Sequence, residues 1–517
     1  MSGSGAADAE LVVHEVPVGV VDELSSPQYD ALVVVSTLDV APPHALRDFI
    51  AAAQQLDDTL VQGSTPALLQ CPAVAGGRLV LAPTGPLTAY DDVRSVYEAA
   101  RGGVRRAAAA GARRPALALA PHPRWPRAPL VALLGALEAL YVPLQIRESF
   151  PERAVKLKRF GVYGEDKRVP LRPLVAEAVA LEVARGVARD VGGADPERMT
   201  PAAAARLLRE RLAGGAVRLR VLDDTAALRR DYPLFAAVSR AADSVERHRG
   251  CIIFLEYEPK NYENTVMLVG KGVTYDTGGA DIKTGGAMAG MSGDKGGAAA
   301  VAGFLKACDL LRPPIKVVAA LAMVRNSVGE EAYVADELLR SRSGLAVRVG
   351  NTDAEGRLAM ADLLAEMRER AAAERAPHVY TVATLTGHAH RAYGDGYTAA
   401  LDNHAAAARQ HAARLRAAAE SLGDAVEVST LRREDLAAHR GRAAGDQLHQ
   451  ADNRPSVATP RGHQAPAAFL LLAAGLDGGD VPYTHLDVAA SAGMLPAPPT
   501  AAPLLALAAL YGLVRSC

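Results

Sequence analysis

Apolar residues in the first part of the chain form short runs that alternate with longer helical patterns. The runs 31–36, 78–82 and 116–120 predict buried strands, and the segment 90–112 predicts a helix between the second and third of them. Alternating strands and helices are typical of an α/β domain. A second helical pattern begins near residue 171, with small apolar side chains at helical spacing. We expect it to connect a smaller N-terminal α/β domain (1–168) to a larger C-terminal domain (169–517).

The second part of the chain alternates in the same way. Apolar runs predict strands at 251–256, 266–269, 315–323 and 379–384, and helical patterns cover 296–311 and 358–373. We therefore expect the C-terminal domain to have a central mixed sheet flanked by helices. Ligand sites in such sheets lie where loops leave the strand ends.

The composition excludes several classes of protein. The chain has 517 residues, with 57 Lys and Arg against 58 Asp and Glu, so its formal charge is −1. That balance argues against a general nucleic-acid binder. No apolar run approaches the roughly 20 residues that cross a bilayer. The N-terminus has no signal or transit pattern, so we expect a cytoplasmic protein. The four cysteines are scattered, which argues against a disulfide framework or a cysteine zinc site.

Polar residues concentrate first between residues 269 and 297. Lys271 follows an apolar run, Asp276 precedes the pair Gly278-Gly279, and Asp294 precedes another glycine pair and an alanine-rich helix. Glycine pairs allow a tight backbone path close to a ligand. Lys295 and Asp281, in the same region, are interpreted as surface residues.

The second polar concentration is Asn-Thr-Asp-Ala-Glu-Gly-Arg-Leu at 351–358. Asp353, Glu355 and Arg357 are two residues apart, so in an extended segment their side chains would share one face. Carboxylates on one face repel each other unless cations neutralise them, which makes a pair of divalent metals a natural partner. Arg357 would add an anion-binding fork. The segment 358–367 that follows predicts an amphipathic helix.

These residues leave two interpretations open. Carboxylates without a nearby His or Cys cluster favour an oxygen-rich or two-metal site, where a lysine could ligate only as the neutral amine. Taken singly, however, each Asp or Lys is more often a turn, cap or surface residue, and a glycine pair is often only a turn.

The same segments resemble the leucyl aminopeptidase (M17-type) family of two-metal exopeptidases. The family signature at 351–358 is intact, as is the pattern Lys-Gly-x-x-x-Asp-x-Gly-Gly-x-x-x-Lys at 271–283. Asp-x-Gly-Gly-Ala lies at 294–298, Ala-Thr-Leu-Thr-Gly at 383–387, and His-Leu-Asp at 485–487. The stretch 325–329 is closer to the animal-type branch of the family than to the bacterial one.

The resemblance implies a role for each matching residue. Lys271, Asp276, Asp294 and Glu355 would hold one metal, and Asp276, Asp353 and Glu355 the other. Lys283 and Arg357 match the two catalytic positions that are not ligands. Met291 and Thr384 match positions lining the pocket for the first side chain of the substrate, and Leu385 matches a backbone contact to substrate.

The resemblance also implies the reaction and its cofactors. Two divalent ions, Zn²⁺ or Mn²⁺ before Co²⁺ or Mg²⁺, would activate a water that attacks the first peptide bond of a substrate with a free N-terminus. Lys283 would stabilise the oxyanion, and Arg357 would hold a bicarbonate that serves as general base. The family forms homohexamers.

The match to the family weakens in the loop at 332–337 and at 288–291, and also at the following two places. His388 and His390 follow Thr386-Gly387, where the family has a small residue. A solvated loop is the favoured interpretation of these histidines, and an altered substrate or metal environment is the alternative. The first 165 residues carry little resemblance at the level of motifs, so their assignment rests on architecture alone.

Three hypotheses about function follow. The leading one is a metal-dependent aminopeptidase. The second is an inactive oligomeric scaffold on the same fold, which the intact ligand positions disfavour. The third is a different two-metal hydrolase that acts on non-peptide amides.

Overall fold

The computed structural model describes residues 11–154 and 157–515. The N-terminal part forms a seven-stranded sheet. Its strands are β1 (Leu11–Val13), β2 (Val16–Val20), β3 (Ala31–Ser36), β4 (Ala67–Gln70), β5 (Arg78–Pro83), β6 (Pro115–Leu119) and β7 (Phe160–Gly164). They lie side by side in the order β1-β2-β7-β6-β3-β5-β4. The five strands from β2 to β5 in this order are parallel, and the edge strands β1 and β4 are antiparallel to their neighbours.

The C-terminal part forms a mixed sheet of eight strands. They are β8 (Val217–Leu222), β9 (Cys251–Tyr257), β10 (Asn264–Asp276), β11 (Ile315–Asn326), β14 (Pro377–Ala383), β15 (Thr398–Asp402), β16 (Val426–Thr430) and β18 (Tyr483–Asp487), in the spatial order β16-β15-β18-β14-β10-β11-β9-β8. The central strands β18, β14, β10 and β11 are parallel. A small third sheet contains β12 (Leu338–Arg340), β13 (Ala346–Arg348) and β17 (Leu448–His449).

Helices cover both large sheets. They are α1 (Arg47–Leu56), α2 (Thr59–Gln62), α3 (Arg94–Ala109), α4 (Ala128–Glu138), α5 (Leu144–Ser149), α6 (Leu171–Gly193), α7 (Pro201–Leu212), α8 (Thr225–Asp231), α9 (Pro233–Ser239), α10 (Gly296–Leu311), α11 (Glu355–Ala371), α12 (Gly387–Tyr393), α13 (His404–Ala407), α14 (His411–Glu420), α15 (Arg433–Ala437), α16 (Gln464–Ala473) and α17 (Leu504–Leu510). None of these helices is long and apolar enough to cross a membrane.

The predicted mixed α/β fold is confirmed. The apolar runs 31–36, 78–82 and 116–120 become β3, β5 and β6, and the helical pattern 296–311 becomes α10. These runs form strands because both faces of a parallel sheet are covered, so nearly every position is apolar. One sheet is built from residues 11–164 and the next begins at residue 217. A domain division near residue 168 stays a prediction.

Helix α6 connects the two sheets and carries a buried network of charges. Glu182, which is fully buried, has its Oε1 2.6 Å from Nη1 of Arg189 and its Oε2 2.9 Å from Nη1 of Arg185. Both arginines also lie 2.9 Å from Oε2 of Glu138 on α4. His14, in the turn after β1, contacts Glu182 at 3.0 Å. The network thus joins α6 to two elements of the N-terminal sheet.

The same network reaches the C-terminal loops. Nε of Arg189 donates a 3.0 Å hydrogen bond to the carbonyl of Pro499. Buried charges are tolerated when they are paired and hydrogen-bonded. Each of these side chains is therefore held by partners from separate parts of the chain.

Candidate active site

The candidate site lies at the carboxyl ends of the central parallel strands. Asp276 ends β10, Asn326 ends β11 and Asp487 ends β18, while Thr384 directly follows β14. Because parallel strands all end at the same edge, these side chains come close together. The sheet thus brings together residues as far apart in sequence as Asp276 and Asp487.

Lys271 lies inside β10, not after it as the apolar run suggested. The strand continues to Asp276, with an irregular register between Val273 and Asp276. The end of the apolar run was mistaken for the end of the strand because polar residues can continue a buried strand where they face a site. Nζ of Lys271 lies 2.7 Å from Oδ1 of Asp294 and 2.8 Å from Oε1 of Glu355.

Lys283 holds the other two carboxylates. Its Nζ is 2.8 Å from Oδ2 of Asp276 and also contacts Oδ1 of Asp353. Gly278 and Gly279, with φ of +89° and +66°, turn the chain so that Lys283 N–H donates to the carbonyl of Thr277 at 2.9 Å. Only glycine adopts such angles without strain.

Gly278→Ala is therefore expected to disturb the site. A Cβ at this position would lie 2.4 Å from the carbonyl oxygen of Asp281 and 3.0 Å from Oδ1 of Asp353. We expect a loss of about 1–3 kcal/mol in the free energy of unfolding, together with weaker metal binding. Urea unfolding and metal titration measure both quantities. Gly285→Ala is the control, since its φ is also positive (+61°) but no atom lies within 4 Å of the added Cβ. Equal effects of the two substitutions would contradict the argument.

The segment 351–358 is not extended, which corrects the expectation of one shared face. Asp353 lies in a turn, and α11 begins at Glu355. The carboxylates converge because the turn at the helix start directs both toward β10. Helix α11 is also not amphipathic: it is buried on nearly every side from Glu355 to Ala365, because it lies between β10 and the helices α9 and α16.

The carboxylates form a candidate metal site. Asp276, Asp353 and Glu355 each offer an oxygen within 4.8 Å of the others. Asp294 Oδ2 is buried and, among the described residues, has no hydrogen-bond partner. An unsatisfied buried carboxylate oxygen is costly unless a cation meets it. The five residues predicted as ligands thus come together in one place, with an oxygen-rich donor set that suits hard or borderline cations.

The electrostatics of the site reflect this crowding of charge. Burial alone would lower the pKa of Lys271, but Asp294, Glu355 and Asp276 outweigh burial and raise it. Burial raises the pKa of Asp294 well above its usual range, although Lys271 opposes the shift. Burial and the neighbouring Asp276 raise the pKa of Asp353 to about 6. A cation beside Asp294 and Asp353 would favour their ionised forms and so oppose the raised pKa of each.

Arg357 is buried next to this cluster and pairs with no carboxylate among the described residues. Its Nη1 donates to the carbonyl of Gln450 at 3.0 Å, and its Nε has no partner within the described chain. Burial lowers the pKa of Arg357 to about 10, which still leaves it charged at pH 7. A buried guanidinium with free N–H groups is suited to bind an anion.

A cavity of about 760 Å³ opens over the carboxylates. Met291, Thr384 and Leu385, the predicted substrate positions, all line it. Thr384 also acts on the cluster directly, because its hydroxyl donates to Asp294 at 2.9 Å and its carbonyl accepts from Lys271 at 3.0 Å. Cavities of this size accommodate small organic ligands.

Sequence reasoning missed three positioning residues. Asn326 donates to Oδ1 of Asp276 at 2.7 Å, and its place at the end of β11 could have revealed it. Asp487, in the recognised His-Leu-Asp element, accepts a 2.7 Å hydrogen bond from Thr386. The side chain of Gln450 forms hydrogen bonds with four backbone groups of the 350–354 turn. No local sequence pattern predicts this role of Gln450.

The structure corrects two of the surface interpretations. His388 lies in α12, half-buried, with Nδ1 2.8 Å from Nδ1 of His463, so it is not in a solvated loop. His390 is exposed, pairs with Asp395 and lines the cavity. Lys295 is fully buried and donates to the carbonyls of Ala194 (2.9 Å) and Ser292, because the turn that carries Asp294 packs against the end of α6.

Comparisons with known proteins identify the family of the chain. Residues 186–503 match the profile of the cytosol aminopeptidase family, catalytic domain. A Caenorhabditis elegans protein named as an aminopeptidase is 41% identical over 500 residues, which cover 93% of this chain and 95% of the relative. The bottromycin maturation enzyme BotP in complex with Mn superposes with a TM-score of 0.76 at 25% identity, over 93% of this chain and 98% of BotP. A tomato leucine aminopeptidase mutant shares the fold, with a TM-score of 0.79 at 20% identity over 98% of each chain. The chain therefore belongs to the cytosol aminopeptidase family of metal-dependent aminopeptidases.

Proposed function

We propose that the protein releases N-terminal residues from peptides with a free amino terminus, using two divalent metal ions held by Lys271, Asp276, Asp294, Asp353 and Glu355. The observation that carries the proposal is the convergence of these five side chains under one cavity, where a buried oxygen of Asp294 has no hydrogen-bond partner in the described part of the chain. When bound, such ions activate a water and polarise the scissile carbonyl.

The ligand set divides between the two ions. Lys271, Asp276, Asp294 and Glu355 would hold one ion, and Asp276, Asp353 and Glu355 the other. Since lysine ligates only as the neutral amine, loading the first ion requires Lys271 to lose a proton. The oxygen-rich set suits Zn²⁺ or Mn²⁺, with Co²⁺ and Mg²⁺ as alternatives, and Mn in the BotP complex supports manganese as a candidate.

Lys283 is proposed to stabilise the negative charge that develops on the carbonyl oxygen. Lys283 lines the cavity with its side chain mostly buried, where a hydrogen bond to an oxyanion is stronger than in water. The pKa of Lys283, which burial would lower, is instead raised by Asp276, Glu355 and Asp353, so the donor is protonated at neutral pH.

Lys283→Gln is expected to lower kcat by about 10²-fold or more, the usual cost of losing one oxyanion donor. Metal content, measured by elemental analysis, is expected to stay near two ions per chain because Lys283 is not a ligand. Lys306→Gln on α10, which removes a lysine paired with Asp309 away from the cavity, is the matched control. A Lys283→Gln enzyme with unchanged kcat would remove the assignment.

Arg357 is proposed to hold a small anion beside the reacting water, with bicarbonate as the candidate. Its buried Nε–H without a partner, and the absence of a paired carboxylate, both within residues 11–154 and 157–515, support this role. A bound bicarbonate would accept the proton of the water and so serve as the general base. The proposal assigns this role to no histidine. Substrate selection would fall to Met291, Thr384 and Leu385 on the cavity wall.

Paired substrates separate the three hypotheses. With Mn²⁺ or Zn²⁺ supplied, the proposal expects hydrolysis of leucine anilide and no hydrolysis of its N-blocked form. An inactive scaffold would cleave neither compound, and a general amide hydrolase would cleave both. Homohexamer formation and a cytoplasmic location stay proposals, and sedimentation measures the first.

A further inference from the structure

A second cavity, of about 410 Å³, lies at the edge of the N-terminal sheet, away from the carboxylate cluster. It is formed at the carboxyl ends of β3, β6 and β7, by the loops that follow these strands and by side chains of α1, α3 and α4. We call it the switch-point cleft and define it by Asp39, Arg47 and His122, which line it. Its volume falls within the range of small-molecule sites, about 300–1,000 Å³.

The cleft occupies the point where the chain connections diverge. The chain leaves β3 toward α1. Leu46, which directly precedes α1, and Ile50 on α1 belong to the same buried apolar cluster as Leu32 and Leu79 of the sheet. Helices α3 and α4 pack on the opposite face, against Val33, Val80 and Leu117 among others. Because β3 and β6 are parallel neighbours, their outgoing connections open a crevice between them. Ligands in open α/β sheets bind in such crevices.

His122 supplies an independent sign of a ligand. The ring is 6% exposed and stacks on Trp125, with centroids 4.4 Å apart. Its Nδ1 accepts a hydrogen bond from Arg124 N–H at 3.1 Å, so in the neutral ring Nε2 carries the proton. Burial lowers the pKa of His122, although Asp39 opposes the shift. Nε2–H is buried and has no acceptor within the described chain. Buried donors of this kind are rare without a partner.

Two charges at the cleft are also free. Neither Arg47 nor Asp39, both exposed, forms an ion pair with any residue of 11–154 or 157–515. The other charged groups are already engaged: Glu165 accepts from His44 N–H and the Tyr163 hydroxyl, and Asp166 pairs with Arg168. The cleft thus offers one cation, one carboxylate and one neutral donor above a wall of aliphatic side chains, which includes Val40, Val96, Leu119, Ala128 and Ala132.

We propose that the switch-point cleft is a second ligand site, which binds small zwitterions with an aliphatic side chain. Arg47 and the Nε2–H of His122 bind the carboxylate, Asp39 binds the ammonium, and the aliphatic wall receives the side chain. Free α-amino acids and short peptides belong to this class. An aminopeptidase releases free amino acids, so the cleft would bind the enzyme's own products. That last step rests on the proposed function, whereas the chemistry of the cleft does not.

Equilibrium dialysis with radiolabelled L-leucine tests the proposal on the full-length metal-loaded protein. We expect two leucines per chain, one in the catalytic cavity and one in the cleft. Arg47→Glu is expected to weaken the cleft site about tenfold or more, the size of effect for a hydrogen bond to a charged group. Arg105→Glu on α3, an exposed arginine that does not line the cleft, is the matched control.

The same titration in a Glu355→Ala background separates this proposal from the proposed function. That protein lacks a catalytic metal ligand, so leucine bound there and lost on adding Arg47→Glu reports the cleft alone. Leucine binding that Arg47→Glu leaves unchanged in this background overturns the cleft proposal and leaves the aminopeptidase proposal intact. If the wild-type protein fails to hydrolyse peptides but still binds leucine in a way that depends on Arg47, the aminopeptidase proposal fails and the cleft proposal stands.

Two further probes test the chemistry of the ligand. 4-Methylpentanoate is leucine without the ammonium and isoamylamine is leucine without the carboxylate, so each is expected to bind the cleft at least tenfold more weakly than leucine. His122→Phe keeps the stacking on Trp125 and removes the Nε2–H donor together with the Nδ1 acceptor of Arg124 N–H, so it is expected to weaken leucine binding while lowering stability by no more than the loss of one hydrogen bond. 4-Methylpentanoate binding as tightly as leucine would overturn the zwitterion assignment.

Discussion

Glu355→Ala is expected to lower kcat/KM by at least about 10³-fold, since loss of one oxyanion donor alone costs about 10²–10³. The side chain is 1% exposed, opens α11, and lies 2.8 Å from Lys271, within 4.8 Å of oxygens from Asp276 and Asp353. Glu355 is a proposed ligand of both ions and is buried, so its loss would remove one carboxylate from each ion at a position that bulk water does not reach. Metal content should fall together with turnover, and elemental analysis with a leucine-anilide assay measures both.

Glu369→Ala on the same helix is the control for this prediction. Glu369 is exposed and pairs with Arg342 at the surface, so its loss should change activity little. Asp353→Ala should resemble Glu355→Ala in its loss of turnover. A Glu355→Ala enzyme that keeps both ions and near-normal rates would remove the assignment of the metal site.

Glu182→Ala is expected to lower the free energy of unfolding by about 3–5 kcal/mol, the range for breaking a buried ion pair by removing one partner. Glu182 is fully buried between Arg185 and Arg189, and its loss leaves one carboxylate, Glu138, beside the two guanidinium groups. Urea unfolding of the metal-loaded protein measures the change.

Glu98→Ala is the comparison, because Glu98 is an exposed glutamate on α3. Its substitution should change the free energy of unfolding by less than about 0.5 kcal/mol. Glu182→Gln, which keeps the shape but removes the charge, should fall near the Ala variant. If Glu182→Ala and Glu182→Gln were as stable as Glu98→Ala, the buried network would contribute nothing to the free energy of unfolding.

Local sequence patterns predicted the elements that bury apolar side chains on both faces. Strand β3 and helix α10 have the predicted bounds because their apolar runs end at turn or polar residues. The strand β10 was predicted too short, since its last seven residues include Lys271 and Asp276, whose polarity serves the site. Polar residues inside a strand look like a loop until the site they face is known.

The site residues were recognisable because the signature segments are contiguous in sequence. The geometry that joins them was not recognisable. An extended 351–358 segment was the simplest way to place Asp353 and Glu355 on one face, but a helix start does the same when α11 packs against β10. Gln450 holds the 350–354 turn from about one hundred residues away, and such long-range contacts leave no periodic trace.

The charge network on α6 also limits how the protein can be divided. A fragment that starts at residue 169 would keep Arg185, Arg189 and every proposed metal ligand, but would lose Glu138 and His14. The surplus positive charge on α6 would then face water beside an uncovered apolar surface, and Arg189 anchors the loop at Pro499 that borders the catalytic cavity. Removal of residues 1–168 is therefore expected to alter the loop at Pro499, and with it the wall of the candidate site, because Arg189 holds that loop.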